Sequence, residues 1–385
     1  MRSVIPQRMP SIVRRAFTLI ELLVVIAVIG LLVAILLPAM STVMEAARAM
    51  QCRANLKQLG VALLAYHQSH EVFPAAADGG DGSSSVYFNS TGYTRLLPYL
   101  EQKLVYDQFN FEGDSGFGFG YAWSAPGNST AIQTPIDIFL CPSNGRPTST
   151  PLQTSGIYAW SIGRAAVTDY LFSAGADRTV SALYAMPEKI GAIGIYTRTR
   201  LADIRDGSGN TFLMGESAGG SPRNKLYAVT VDGAGGLTDP ETGKAYRRVC
   251  VPMTKSLIEA DGFNVVIDNV MHHGYGRRRP MANFKINLSS SLVARTADAH
   301  GNFYPPNDCA YPIYMDMFPA SSETTAAQVR AGHPQDVPNF RSAHPGFTNM
   351  LMADGSVLSV TDGIDGSIFM AQSTIAGGES QRLVE

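Results

Sequence analysis

The sequence predicts an α+β protein: a long N-terminal α-helix, apolar in its first half and amphipathic in its second, packed on a β-rich, loop-rich globular domain. Three observations predict it. Residues 17–40 form a nearly uncharged apolar run, a periodic segment follows to about residue 70 with Gly60 as its only glycine and no proline, and most of the 37 glycines and 22 prolines lie beyond residue 71. The order of segments is therefore 1–16 as a basic leader, 17–40 as a transmembrane segment, 41–70 as the amphipathic continuation of its helix, and 71–385 as the globular domain.

The averages conceal this division but exclude several classes. Of 385 residues, 45% are hydrophobic and 16% charged, with 30 basic against 32 acidic side chains, whereas disorder requires low hydrophobicity and high net charge. Only one stretch approaches the roughly 20 apolar residues that span a bilayer core, so a polytopic membrane protein is excluded. The pI near 6.4 and the lack of a broad basic excess argue against nucleic acid as a partner.

Residues 1–16, MRSVIPQRMPSIVRRA, hold four arginines and no acid, and FTLIELLVVIAVIGLLVAILLPAM follows at once. A secretory signal peptide has a shorter apolar core and ends in small residues at its cleavage site; this run continues past that length and so stays with the mature protein. Positive charge before the segment predicts a cytoplasmic N-terminus and a body on the far side. The one charge inside the run is Glu21, four residues after Phe17. A charge at the centre of a membrane helix costs roughly 2.5 to 3.5 kcal/mol on insertion scales, so a carboxylate within the span calls for a partner, a function or a place at the interface.

The string Arg14-Arg15-Ala16-Phe17-Thr18-Leu19-Ile20-Glu21 resembles the type IV prepilin processing signal. The resemblance implies cleavage between Ala16 and Phe17 by a membrane prepilin peptidase, N-methylation of Phe17, and pairing of Glu21 with the Phe17 amine of a neighbouring subunit during assembly. Ala16 departs from the family's usual Gly before the cut. Removing the four leader arginines from the 30 basic residues leaves 26 against 32 acidic ones, a net charge of −6 for the mature chain.

Beyond residue 40, Met50, Leu56, Leu59, Leu63 and Tyr66 mark an apolar stripe with Arg48, Arg53 and Lys57 between them, the pattern of an amphipathic helix. A helix over 17–69 would be about 80 Å long at 1.5 Å per residue. Pro38 removes one backbone hydrogen bond and is expected to kink it near the outer membrane face.

The body opens with loops such as DGGDGSSS and GDSGFGFG. Short apolar or alternating stretches at 136–140, 169–172, 211–214, 226–231, 263–267, 349–352 and 357–360 predict strands. A helical turn is predicted over 94–106, with Leu96, Leu97, Leu100 and Leu104 on one face.

Five strings then appear in order: QCRANLKQLGVALLAYHQSHEVFP, FLCPSN, VTDYLFSAG, DIRDGSGNTFLMGES and HPGFTNMLMADGSV. Together they resemble the DUF1559 proteins, a prepilin-like family of unknown function found in many paralogues in planctomycetes. The last string fits the family's H-X9-DG motif, His344 followed after nine residues by Asp354-Gly355. The resemblance implies architecture and imports no activity.

Read physically, Asp206-Gly207-Ser208-Gly209-Asn210-Thr211 is a turn before a strand that ends at Glu216. Asp354-Gly355 reads as a two-residue hairpin turn, with His344 anchoring the approach to it by a hydrogen bond. A competing reading is a calcium turn at Asp362 and Asp365, a metal that a related pseudopilin family holds in a C-terminal loop; the spacing departs from the twelve-residue EF-hand pattern. Otherwise no cofactor is expected. His272-His273, His300 and His333 lack the spacing of a zinc motif, and no G-x-S-x-G string sits in a strand-to-helix setting, so no enzymatic activity is expected. Arg277-Arg278-Arg279 reads as a solvated loop, with attraction for anionic polysaccharide or phosphate as its functional alternative.

Four cysteines lie far apart without a C-x-x-C pattern, which disfavours metal and thioredoxin-like chemistry. Outside the cytoplasm disulfides are allowed, and the pairing expected among the three possible is Cys52–Cys141 with Cys250–Cys309. The functional expectation is a single-pass inner-membrane protein with a periplasmic or extracellular body, pilin-like or pseudopilin-like. Its partners would be prepilin peptidase/N-methyltransferase and other pilin-like subunits or itself, in a pilus, a surface filament or type II secretion. The alternative is a membrane-tethered binding module that never polymerises and holds a sugar, an ion or an envelope protein in its Gly-rich loops.

Overall fold

The computed structural model describes residues 19–78, 90–109, 111, 128–145, 149–151, 164–176, 187–194, 197–217, 226–238, 245–252, 293–294, 296 and 340–378. The leader, Ala16, Phe17, the strand expected at 263–267, the arginine run, Cys309, His272, His273, His300 and His333 lie outside them. The protein divides into two units, Met1–Ala47 and Arg48–Glu385.

Helix α1, Leu19–His70, is continuous over 52 residues with Pro38 inside it. Just past the proline, the Ser41 and Thr42 hydroxyls donate to the carbonyls of Pro38 and Ala39 at 2.8 Å each, side-chain bonds to nearby carbonyls of the kind these residues form inside helices. In the first unit the apolar side chains from Leu19 to Leu37 are largely exposed, so this is a helix long and apolar enough to cross a membrane. In the second unit one face is buried: Cys52, Leu56, Leu59, Leu63 and Tyr66, steps of 4, 3, 4 and 3 that keep one side of a 3.6-residue period. Met50, expected on this stripe, is 66% exposed. It stands six residues from Leu56, a step that falls off the face, and Cys52 occupies the place instead.

The chain then forms β1 (Ala77–Asp78), β2 (Ser90–Thr91), α2 (Gly92–Leu96), α3 (Lys103–Tyr106) and α4 (Ser129–Gln133). The turn predicted over 94–106 is thus helical but broken. Glu101, at φ +59°, ends a 3-10 turn over Leu97–Leu100, and the reorientation buries Val105 and leaves Leu104 82% exposed. The strand expected at 136–140 is instead a 3-10 turn over Asp137–Phe139. That turn drops Ile136 and Phe139, three apart, into the core together, and the Phe139 ring meets Tyr93 edge-on at 5.5 Å.

The remaining strands are β3 (Ser149–Pro151), β4 (Arg164–Ala166), β5 (Tyr170–Ser173), β6 (Phe212–Glu216), β7 (Leu226–Thr238), β8 (Ala245–Pro252), β9 (Val293–Ala294), β10 (Phe347–Met352) and β11 (Val357–Thr361), followed by α5 (Gly366–Ala371). Strands β11-β10-β6-β5-β9 form the central sheet, with β1-β2, β3-β4 and β7-β8 as two-stranded pairs. The central pairs are antiparallel except β5 with β9.

Every residue of β5 and β6 is buried because both faces of the sheet are covered. Tyr170, Phe172 and Leu351 join the α1 stripe in one apolar cluster; Leu171, Met350 and Met352 join Phe369 of α5 in a second. That double burial explains why these strands read as continuous apolar runs and not as strict alternations. Each fully buried Leu or Phe contributes about 1.5 to 3 kcal/mol, so the α1 stripe holds the helix to the sheet with several such contributions.

Candidate functional site

The five sequence strings, spread over some 300 residues, meet where α1 crosses the sheet. The string at residues 51–74 supplies the α1 face. Asn55 donates to the Leu140 carbonyl at 3.2 Å and to the Tyr170 hydroxyl at 3.4 Å, and accepts from Gln51 at 2.9 Å. FLCPSN forms the turn that carries Cys141, and VTDYLFSAG holds that turn. The buried Asp169 carboxylate accepts from the Cys141 backbone N–H at 2.7 Å and from Asn144 Nδ2 at 2.6 Å. Charge-assisted bonds of this kind are roughly twice as strong as neutral ones.

The two Asp-Gly strings pack against each other. Backbone N–H groups of Ala353 and Asp354 donate to the Thr211 and Ser208 carbonyls at 2.8 and 3.0 Å. The Asp206 carboxylate accepts from the N–H groups of Gly377 and Gly378 at 2.8 and 3.2 Å. Asn210 Nδ2 and the Thr211 hydroxyl donate to the carbonyls of Asp206 and Gly207, closing their own turn at 3.1 and 3.2 Å.

The β10–β11 hairpin exists as expected, but its loop has three residues, Ala353 to Gly355, where two were predicted. Gly355 N–H donates to the Met352 carbonyl and Met352 N–H to the Ser356 carbonyl, both at 2.9 Å, with Gly355 at φ +81°. This is a turn closed by a bulged glycine in the left-handed region, where a side chain would be strained. The Asp354 carboxylate accepts from Ser356 N–H at 2.8 Å. Against this loop, Lys57 Nζ donates to the Gly355 carbonyl at 2.7 Å and Arg53 to that of Val357 at 3.2 Å. Gly60 permits the close approach: a Cβ there would stand 2.7 Å from Leu351 Cδ1 and 3.6 Å from Gly355 Cα.

His344 lies on the approach to β10. It is buried beside Glu216, Cys141 and Cys52, and one ligating atom from each of the four lies within 4.8 Å of the others. Its Nε2 is 3.6 Å from Cys141 Sγ and 3.7 Å from Glu216 Oε1. The sulfurs of Cys52 and Cys141 are 2.7 Å apart, both as thiols. Glu216 accepts from the Asn349 backbone N–H at 3.0 Å and from Asn349 Nδ2 at 2.9 Å, and from the Ser342 hydroxyl, whose oxygen in turn accepts from His344 N–H at 3.1 Å. The His344 ring stacks on Phe347, centroids 5.6 Å apart.

The electrostatics are those of an enclosed interior. Burial raises the Glu216 carboxyl above its ordinary range, opposed by the bonds from Asn349 and Ser342 and by His344. Cys141 is pushed far above the ordinary thiol range by its contact with Cys52 and then by burial. Burial also raises the Tyr170 hydroxyl.

Sequence reasoning singled out His344 and Glu216 but placed one on the approach to a hairpin and the other at the end of a strand, and missed Asp169. The cysteine and histidine spacings hid the cluster, because its four members come from four separate elements. Membership of all four in the recognised strings was the available signal. Asp365, weighed as a calcium ligand, caps α5: its carboxylate accepts from the Ser367 and Ile368 N–H groups. Asp362 lies in the turn after β11, its N–H donating to the Gly346 carbonyl at 3.2 Å. Cys250 stands in β8, opposite Ala228, and its expected partner Cys309 lies outside the described residues. Glu21 falls in the first turn of α1.

Comparison with known proteins finds two family models. A family model described as "Protein of unknown function (DUF1559)" matches residues 42–367, and one described as "Prokaryotic N-terminal methylation motif" matches residues 13–37. No curated protein and no solved structure matches the chain.

Proposed function

The chain belongs to the DUF1559 family of proteins of unknown function and carries a prokaryotic N-terminal methylation motif, and from that premise we propose that it is a structural or assembly subunit of the cell envelope. In this reading prepilin peptidase cuts between Ala16 and Phe17 and methylates Phe17, and the mature helix stays in the inner membrane with the body outside the cytoplasm. The observation that carries the reading is the apolar first half of α1, whose single acid up to Met40, Glu21, stands in the helix's first turn. A carboxylate there is costly against lipid but offsets the positive charge of a Phe17 amine from a neighbouring subunit, so the helix is suited to pack with its own kind. Turn-holding roles for Asp206, Asn210, Thr211 and Asp354 support a structural part for these motifs.

Mass spectrometry of the mature N-terminus in the native host tests processing. N-methyl-Phe17 is expected, and an intact Met1 would sink the processing claim. Glu21→Ala tests assembly: the membrane protein persists while crosslinked multimers or filaments disappear. Unchanged multimers, or none in either protein, favour a tethered binding module that does not polymerise.

A further inference from the structure

We infer that Cys52, Cys141, Glu216 and His344 form a closed, four-coordinate site for a thiolate-seeking divalent metal ion of the zinc class. All four are buried, and a sulfur from each cysteine, a carboxylate oxygen and a ring nitrogen lie within 4.8 Å of one another. Two thiolates, an imidazole and a carboxylate are a tetrahedral zinc donor set, whereas calcium and magnesium take oxygen ligands alone.

The distances can be compared with such a tetrahedron. Metal–sulfur bonds of about 2.3 Å and metal–nitrogen or metal–oxygen bonds of about 2.0 to 2.1 Å imply edges of about 3.6 Å for sulfur to nitrogen, about 3.4 Å for nitrogen to oxygen and about 3.8 Å for sulfur to sulfur. Cys141 Sγ to His344 Nε2 is 3.6 Å and His344 Nε2 to Glu216 Oε1 is 3.7 Å. The sulfurs, at 2.7 Å, must part by about 1 Å to admit the ion. On binding, each thiol releases its proton to solvent as a metal–sulfur bond forms, His344 donates the Nε2 lone pair of its neutral ring, and Glu216 binds as carboxylate.

The surroundings are those of ligands held in place. Asn349 and Ser342 fix Glu216, Phe347 stacks on the His344 ring, and Asp169 fixes the Cys141 backbone. Outer partners of this kind orient metal ligands. A Cys52–Cys141 disulfide would use the two sulfurs and leave Glu216 and His344 beside an uncharged bridge, whereas a divalent ion engages all four groups. With all four positions filled by protein, no place remains for substrate, so the ion is structural. It clamps α1, through Cys52, to the sheet.

The test uses the full chain purified in detergent from native membranes without reductant or chelator, followed by metal analysis and a non-reducing peptide map. One zinc per chain is expected, with Cys52 and Cys141 unreactive to iodoacetamide until chelator and denaturant are added together. Cobalt exchanged into the site should show intense tetrahedral visible bands and sulfur-to-cobalt charge transfer, a readout of the ligand set that needs no variant. His344→Ala and Glu216→Gln should weaken zinc binding by more than the 10–100-fold that loss of an outer partner typically costs. A Cys52–Cys141 disulfide in the peptide map, or a reduced chain that binds neither zinc nor cobalt with thiolate character, overturns the assignment.

Discussion

Replacing Gly60 by Ala should be harmful in the native protein and helpful once Leu351 has been cut back. In an isolated helix interior the substitution stabilises by about 1 kcal/mol. Here the new Cβ would meet Leu351 Cδ1 at 2.7 Å and Cδ2 at 3.5 Å, and Leu351 is fully buried, so its side chain must turn within a close-packed interior to yield. Overpacking of this kind costs about 1 to 3 kcal/mol, so the net effect of Gly60→Ala is a loss of up to about 2 kcal/mol. Leu351→Ala alone should cost about 3 kcal/mol, within the range for truncating a buried leucine. In the double variant the clash is gone and the added methyl fills part of the cavity, so the pair should be more stable than Leu351→Ala alone by about 1 kcal/mol. Urea unfolding of the full chain in detergent, followed by near-ultraviolet circular dichroism for all four proteins, measures the cycle. A coupling energy below about 0.5 kcal/mol, the scatter expected of independent sites, would refute the close approach of α1 to the hairpin.

Two further outcomes are expected. Asp169→Ala removes the acceptor of the Cys141 N–H and Asn144 Nδ2 bonds and strands both donors in the interior. It should destabilise by about 3 kcal/mol and make Cys141 alkylate faster than in the parent, whereas a structure unaffected at Cys141 would leave its alkylation rate unchanged. Asp365 is held below the ordinary aspartate range, first by the Ser367 hydroxyl and then by the Ser367 and Ile368 N–H groups. A depressed folded value means a contribution present above the unfolded pKa and lost as pH falls through the folded one. The melting-temperature gap between the native protein and Asp365→Ala should therefore be constant near neutrality and close on acidification below the unfolded aspartate value; a gap that persists at low pH contradicts the capping role.

Local signals were strong where one segment carries the whole pattern. The apolar run, the stripe from Leu56 to Tyr66 and the apolar stretches of β5, β6, β10 and β11 could each be read in place, because helical periodicity and short apolar runs both report burial. The readings that failed depended on neighbours. Phe139 lies in a 3-10 turn because the core accepts it beside Ile136, and Leu104 faces solvent because Glu101 turns the chain.

The sequence by itself determined the anchor and the family. Arg14 to Glu21 is one contiguous signal, and the α1 stripe and the five strings can be recognised without knowing where they lie in space. Only the tertiary structure decided that residues 52, 141, 216 and 344 are neighbours. Their separations along the chain carry no spacing rule, since they sit on α1, in the segment after the 3-10 turn at Asp137–Phe139, at the end of β6 and on the approach to β10. It also decided the roles of the two Asp-Gly strings, which look like independent turns along the chain and in fact brace one another through backbone bonds from Ala353 and Asp354 to Thr211 and Ser208. Backbone hydrogen bonds are available to every residue type, so side-chain identity does not reveal which partner they take.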